Sequence, residues 1–304
     1  NYCSFETEYL GTTENYKLAL HILSCINTPI FIYGAWCIIF KTPAKMASLI
    51  NVILWSHFFS ALLDLSLSVF VVPYVLLPKF SMYALGFLNY PQFDFYYLLT
   101  IVSFAALAIV MIFEIQYYVL FARNENPFWC TIRKPFLIFD HFVGLLFIIP
   151  VAGSPESIFN FQILPCMPQL YINDRKLFVA FLDFKLSFAS VCWQTVFLSS
   201  QVFTFLAVIL YKLRKLERQN KCSSRTESMQ RRLIIALFRQ IPISLILAPI
   251  VYILVTAELN YYNQSFTNFI FLAVASHGTV SALIFIHKPY RDATWNLFRW
   301  FSKR

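Results

Sequence analysis

Residues Tyr97–Arg123 read YLLTIVSFAALAIVMIFEIQYYVLFAR. The run stays apolar for longer than the roughly 20 residues that a helix needs to cross a bilayer. It carries one carboxylate, Glu114, close to its end. An ionisable group in hydrocarbon is costly and is by default a functional candidate. Glu114 is therefore part of a signalling bundle, a transporter's proton site or a paired structural charge, and the rest of the chain has to decide between them.

Working outward, the whole chain shares this character. Its 304 residues are 59% hydrophobic and 13% charged, with mean hydropathy +0.63. Soluble domains average about 25% charged residues, so this composition predicts a polytopic membrane protein rather than a water-facing fold. The 34 Phe and 17 Tyr suit aromatic interiors and interfacial belts. A net charge of +9 does not imply nucleic acid here, because the basic residues cluster in the loops of one side. Residues Asn1–Lys17 are polar and acidic (Glu6, Glu8, Glu14) and lack the basic start of a secretory signal peptide. The first helix is then its own insertion signal. The chain begins at Asn1 rather than Met, as a fragment would.

Apolar runs of membrane length predict seven spans, roughly 18–40, 49–77, 97–121, 135–151, 186–211, 233–256 and 266–287. The expected fold is an all-α, seven-transmembrane helix bundle forming one domain over residues 1–288. A tail, 289–304, follows it. Lys and Arg crowd the loops after the first, third and fifth spans and the tail, most densely between Lys212 and Arg232. The positive-inside rule places those segments in the cytosol and the N-terminus outside. In the tail, Trp295, Phe298 and Phe301 recur at helical spacing among basic residues, which predicts a short amphipathic helix on the inner leaflet. Cys3 and Cys166 are the two cysteines on the expected outer side, where disulfides persist. They form a bridge or remain two free thiols. Asn263-Gln264-Ser265 is a glycosylation sequon in a short outer loop.

Within the spans, Ser60, Asp64 and Ser68 share a helical face with His57, giving the second span a polar stripe. This is a hydrated switch or a satisfied buried carboxylate. His277 and Ser281 form a similar face in the seventh span, from which a hydrogen bond can reach Asp64. Pro242 and Pro249 should kink the sixth span. Glu114 and Arg239 lie at similar depth, about 10 Å from the inner boundary, and suggest a latch between the third and sixth spans. The five histidines show no HExxH or HxxxH spacing, and there is no GxSxG or Gly-rich phosphate loop. These absences predict no enzyme, metal or cofactor.

Several phrases carry a family resemblance. They are HILSCINTPIFIYGAWCIIFKTPAK at His21–Lys45, SHFFSALLDLSLS at Ser56–Ser68, Leu164-Pro165-Cys166, Gln240-Ile241-Pro242, His277-Gly278 and Lys288-Pro289-Tyr290-Arg291. Over nearly its whole length the chain resembles the nematode serpentine receptors of class h, chemosensory G-protein-coupled receptors. The resemblance implies a small-molecule ligand, a heterotrimeric G protein as partner, and a place in the plasma membrane of sensory cilia. It supports the Cys3–Cys166 bridge and puts Pro289, Tyr290 and Arg291 where other receptors carry a seventh-helix switch. Where the family typically has Glu-Asn-Arg, this chain has Glu114-Ile115-Gln116. Either coupling is altered or the cation of the motif is supplied by Arg239. The rival reading is a transporter or channel that uses Asp64 and Glu114 as an ion path. Against it, the chain shows no internal repeat.

Overall fold

The computed structural model describes residues 3–4, 9–42, 44–77, 81–148, 178–179, 184–218, 251–252, 255–256, 262–280, 290–292, 294–295 and 299. Its long helices are α1 (Thr13–Lys41), α2 (Ile50–Leu65), α3 (Pro91–Tyr117), α4 (Pro127–Leu146), α5 (Phe184–Arg218) and α6 (Gln264–Ala275). A single turn, α7 (His277–Val280), continues the path of α6. Four stretches among the described residues are long and apolar enough to span a membrane: Thr13–Lys41, Ala47–Phe70, Gln92–Ala122 and Ala189–Leu216. Arg239, Pro242, Pro249, Pro289 and Cys166 lie outside the described residues, as does nearly all of the sixth span.

The Tyr97–Arg123 stretch is the bundle's central post. α3 packs against α2, α4 and α5, and buries Leu107, Ala108, Val110 and Phe113 almost completely. The peripheral faces are the reverse. Ile22, Ile26 and Ile32 of α1, and Ile138, Phe139 and Phe142 of α4, stand exposed. Apolar surface on this scale is a surface for lipid.

Two spans depart from their sequence-predicted limits. The fourth helix begins at Pro127 rather than at Pro135. Both prolines can open a helix, since a first-turn proline lacks only an N–H that would be unpaired anyway. Asn126 decides between them: its side chain accepts the Trp129 N–H at 3.0 Å, capping the earlier start. Pro135 falls inside the helix, and Arg133 and Lys134 thereby become helix residues instead of loop residues.

The second span is shorter than 49–77. α2 passes into a π turn at Ser66–Phe70, and the apolar residues beyond form a hairpin of β2 (Pro73–Leu76) and β3 (Ser81–Ala84). Val72 makes the turn at φ 48°, a left-handed conformation that is unusual for a β-branched residue. The helix has unpaired carbonyls at its end, and the strand leaving the hairpin supplies them. The Gly86, Phe87 and Leu88 N–H groups donate to Val71, Val69 and Phe70 O at 2.9, 3.1 and 2.7 Å. A Cβ on Gly86 would lie 2.4 Å from Phe70 O, so the approach requires glycine.

The helical bundle thus carries two small sheets. β4 (Phe178–Val179) adds to β3 in antiparallel order. β1 (Cys3–Ser4) pairs in parallel with β5 (Tyr262–Asn263), with Cys3 opposite Tyr262. Buried polar groups knit the same end together. Tyr16 donates to Pro73 O at 3.1 Å, Tyr74 to Gly11 O at 2.6 Å, and Asn268 to Leu10 O at 2.6 Å. Gln264 reaches Val75 O at 3.3 Å and Asn268 Oδ1 at 2.8 Å. Buried amides and hydroxyls need such partners, and here they close the chain's N-terminal turn over α1, β2 and α6.

Candidate functional site

At the opposite end of α3, Glu114 is fully buried. Arg133 of α4 donates its Nε–H between the two carboxylate oxygens, at 2.7 and 2.9 Å. One turn earlier on α4, the Trp129 indole N–H donates to Glu114 Oε1 at 3.0 Å. The Arg133 guanidinium also lies 4.4 Å from the Tyr118 ring centroid. Trp129 contacts Tyr117, Phe136 and Phe205, so rings from α3, α4 and α5 enclose the ion pair. The charge in the opening stretch is therefore neutralised by α4. The shorter reading of that helix concealed this, since it left Arg133 in a loop.

Gln116 has no such support. It is 2% exposed, and neither of its amide atoms has a hydrogen-bond partner among the described residues. Residues two apart on a helix do not share a face, so Gln116 does not join Glu114. Nearby, Lys212 of α5 pairs with Glu125 at 3.0 Å and lies over Phe121 at 5.3 Å. Glu125 is exposed and Lys212 partly so, and such surface contacts contribute little on their own.

The second candidate group sits between α2 and α7. Asp64 is fully buried; its Oδ1 accepts the Gly278 N–H at 3.3 Å, and the Thr279 backbone also acts on the carboxylate. Contact with the seventh span thus runs through the backbone of the residues that follow His277. A Cβ on Gly278 would come within 2.9 Å of both Asp64 Oδ2 and the Phe31 ring. Ser68 donates to the Asp64 backbone carbonyl at 2.6 Å and leaves the carboxylate alone. His57 turns to α1, with Nε2 2.9 Å from Phe31 O and its ring against Gly34. The polar stripe of α2 therefore stitches α1, α2 and α7 together.

Tyr290, in the segment after the seventh span, is fully buried, with its hydroxyl 2.7 Å from Thr42 Oγ1 at the end of α1. Tyr33 adds a bond to Thr294 at 3.2 Å. Burial pushes the Tyr290 phenol up, and the Thr42 hydrogen bond works against that shift. Arg291 and Trp295 are exposed. Asn263 caps α6, its side chain accepting the Phe266 N–H at 2.9 Å.

Two polar contacts were not singled out by the sequence. In the seam of α3, α4 and α5, Gln194 donates to Ser103 at 2.7 Å and to Gly144 O at 3.4 Å. Further along, Gln201 of α5 donates to Asp140 of α4 at 2.9 Å. Asp140 lies in a segment with a clear apolar periphery, and its i, i+4 relation to buried Gly144 is the signal that marks it as inward-facing. No group of three His, Cys, Asp or Glu suited to a metal occurs among the described residues.

Comparison with known proteins matches this frame. The family model described as "Serpentine type 7TM GPCR chemoreceptor Srh" matches residues 11–300. The chain is also 25% identical to serpentine receptor class H-72 of Caenorhabditis elegans over 317 aligned residues, covering 95% of this chain and 87% of that protein.

Proposed function

The chain belongs to the Srh family of serpentine seven-transmembrane chemoreceptors, and from that premise we propose that it binds a small molecule and signals through a heterotrimeric G protein. The family is one of multi-pass membrane receptors, not enzymes. The observation that carries the coupling half of the reading is the Glu114–Arg133–Trp129 contact, a buried charge cluster at one end of the central helix. A ligand favours one state of a bundle only by its differential affinity for the two states. The outer half of the bundle is where such a ligand would act. The cluster ties α3 to α4, so a ligand that displaces either helix is read at the opposite end.

In this reading the end that carries β1 and the hairpin faces outward, and the basic stretch after α5 meets the G protein. The protein resides in the plasma membrane, in the sensory cilia of chemosensory neurons. Cys3–Cys166 bridges the N-terminus to the loop before β4. Asp64, His57 and His277 hold the switch region, with Pro289, Tyr290 and Arg291 at its base. Pro242 and Pro249 kink the sixth span, and Arg239 offers Glu114 a second cation in another state.

The test is a ligand screen in cells, with wild type beside Gln116→Arg. A ligand-evoked response that disappears on G-protein blockade supports the proposal, and Gln116→Arg should strengthen it. A current or solute uptake that survives the blockade would replace it with the transporter reading.

A further inference from the structure

Asp140 and Gln201 face each other across the α4–α5 seam with an odd hydrogen-bond count. Gln201 Nε2–H donates to Asp140 Oδ1 at 2.9 Å. Asp140 is 1% exposed, and among the described residues neither its buried Oδ2 nor the buried Gln201 Oε1 has a partner. Both orphaned atoms are acceptors, and each belongs to the same planar group as an atom already in the bond. One added hydrogen between them satisfies both.

Among the described residues no cation forms an ion pair with Asp140, although His141 lies close enough to act on its carboxylate electrostatically. His141, next along α4, has Nδ1 2.7 Å from Leu137 O and its ring against Phe104. From α3 the seam receives Ser103, which is bonded to Gln194 of α5. Glu114 and Arg133 neutralise each other, and Arg133 is about 10 Å along α4 from Asp140. An unpaired carboxylate in hydrocarbon is expensive, whereas a carboxylic acid carries its own donor. A metal ion fits the count poorly: hard cations take about six to eight oxygens, and two are orphaned here.

We propose that this seam is an intramembrane proton-binding site, in which Asp140 holds a proton on Oδ2 and closes an acid–amide ring with Gln201. Oδ2–H donates to Gln201 Oε1 while Gln201 Nε2–H donates to Oδ1. The proton is taken from water and returned to it. The ring exists only with the proton in place, so proton uptake favours the packed seam. Raising the pH, or moving α5 away from α4, favours release. The site gives α5 a proton-dependent hold on α4, distinct from the Glu114 cluster and independent of the G-protein reading.

The full chain in lipid nanodiscs tests this by infrared spectroscopy and thermal unfolding. Wild type should show a protonated-carboxyl carbonyl band that Asp140→Asn removes. Asp140→Asn retains both ring bonds through its own NH2, so it should unfold with wild type in acid. As pH rises, wild type should fall below it by about 2–4 °C or more, while Asp140→Asn stays level. Gln201→Leu should shift the same band toward a free acid carbonyl, which keeps the test decisive should Asp140→Asn fail to fold. An infrared band unchanged by both substitutions overturns the site. So does an Asp140→Asn chain as unstable as Gln201→Leu at every pH, or a sodium-dependent rise in unfolding temperature that Asp140→Asn abolishes.

Discussion

Arg133 reaches both oxygens of Glu114 through a single nitrogen, at 2.7 and 2.9 Å, with the carboxylate fully buried and the guanidinium partly exposed. The asymmetry gives the pair a direction. Arg133 can turn toward headgroups by snorkelling, whereas Glu114 has no route to water.

Removing one partner should therefore hurt more than removing both. Arg133→Gln leaves a buried charge unpaired and should cost about 3–5 kcal/mol. Glu114→Gln with Arg133→Gln should recover most of that. Thermal unfolding in nanodiscs measures it, and a double variant no more stable than Arg133→Gln would refute the assignment. The same experiment with Arg239→Gln asks whether the sixth span contributes in another state.

Gln116 should be a net burden on the folded protein. Two buried, unpaired amide atoms cost about 1–3 kcal/mol each. Gln116→Leu, which removes both, should raise the unfolding temperature. A fall would mean that the amide is bonded after all.

Gly278 should tolerate no side chain. The alanine Cβ would press on Asp64 Oδ2 and the Phe31 ring at 2.9 Å, an overpacking worth about 1–3 kcal/mol. Gly278→Ala should reduce surface expression, and Gly278→Ala with Asp64→Ala should restore part of it. Equal expression of Gly278→Ala and wild type would sink the contact.

Gly86→Ala should be the harsher change, because its Cβ meets backbone oxygen at 2.4 Å and backbone cannot rotate away. The hairpin would lose its hold on the end of α2. Faster amide exchange at Gly86, Phe87 and Leu88 than in wild type is the expected result; unchanged exchange would mean that these bonds do not depend on the close approach.

The membrane class was legible because it follows from length and hydropathy alone. The limits of α2 were not. Val71–Leu77 is as apolar as a helix interior, and only Pro73 and the distant Gly86 reveal a hairpin. Depth was readable for Glu114, but its neighbour was not. Arg133 comes into reach only because Asn126 starts α4 earlier than Pro135 suggests. The Asp64–Gly278 contact runs from a backbone N–H to the carboxylate, and a backbone donor is not marked by any side-chain pattern. Asp140 and Gln201 lie on different helices, and facing pairs are set by packing, beyond what spacing within one helix can show.

The parallel pairing of Cys3–Ser4 with Tyr262–Asn263 bears on how the chain is made. Synthesis runs from the N-terminus, so β1 is complete long before its partner leaves the ribosome. It cannot be matched until the segment ahead of the last span has been delivered to the same side of the membrane. Its docking then marks a fully threaded bundle, and a chain stalled before α6 would leave this edge open for quality control to find.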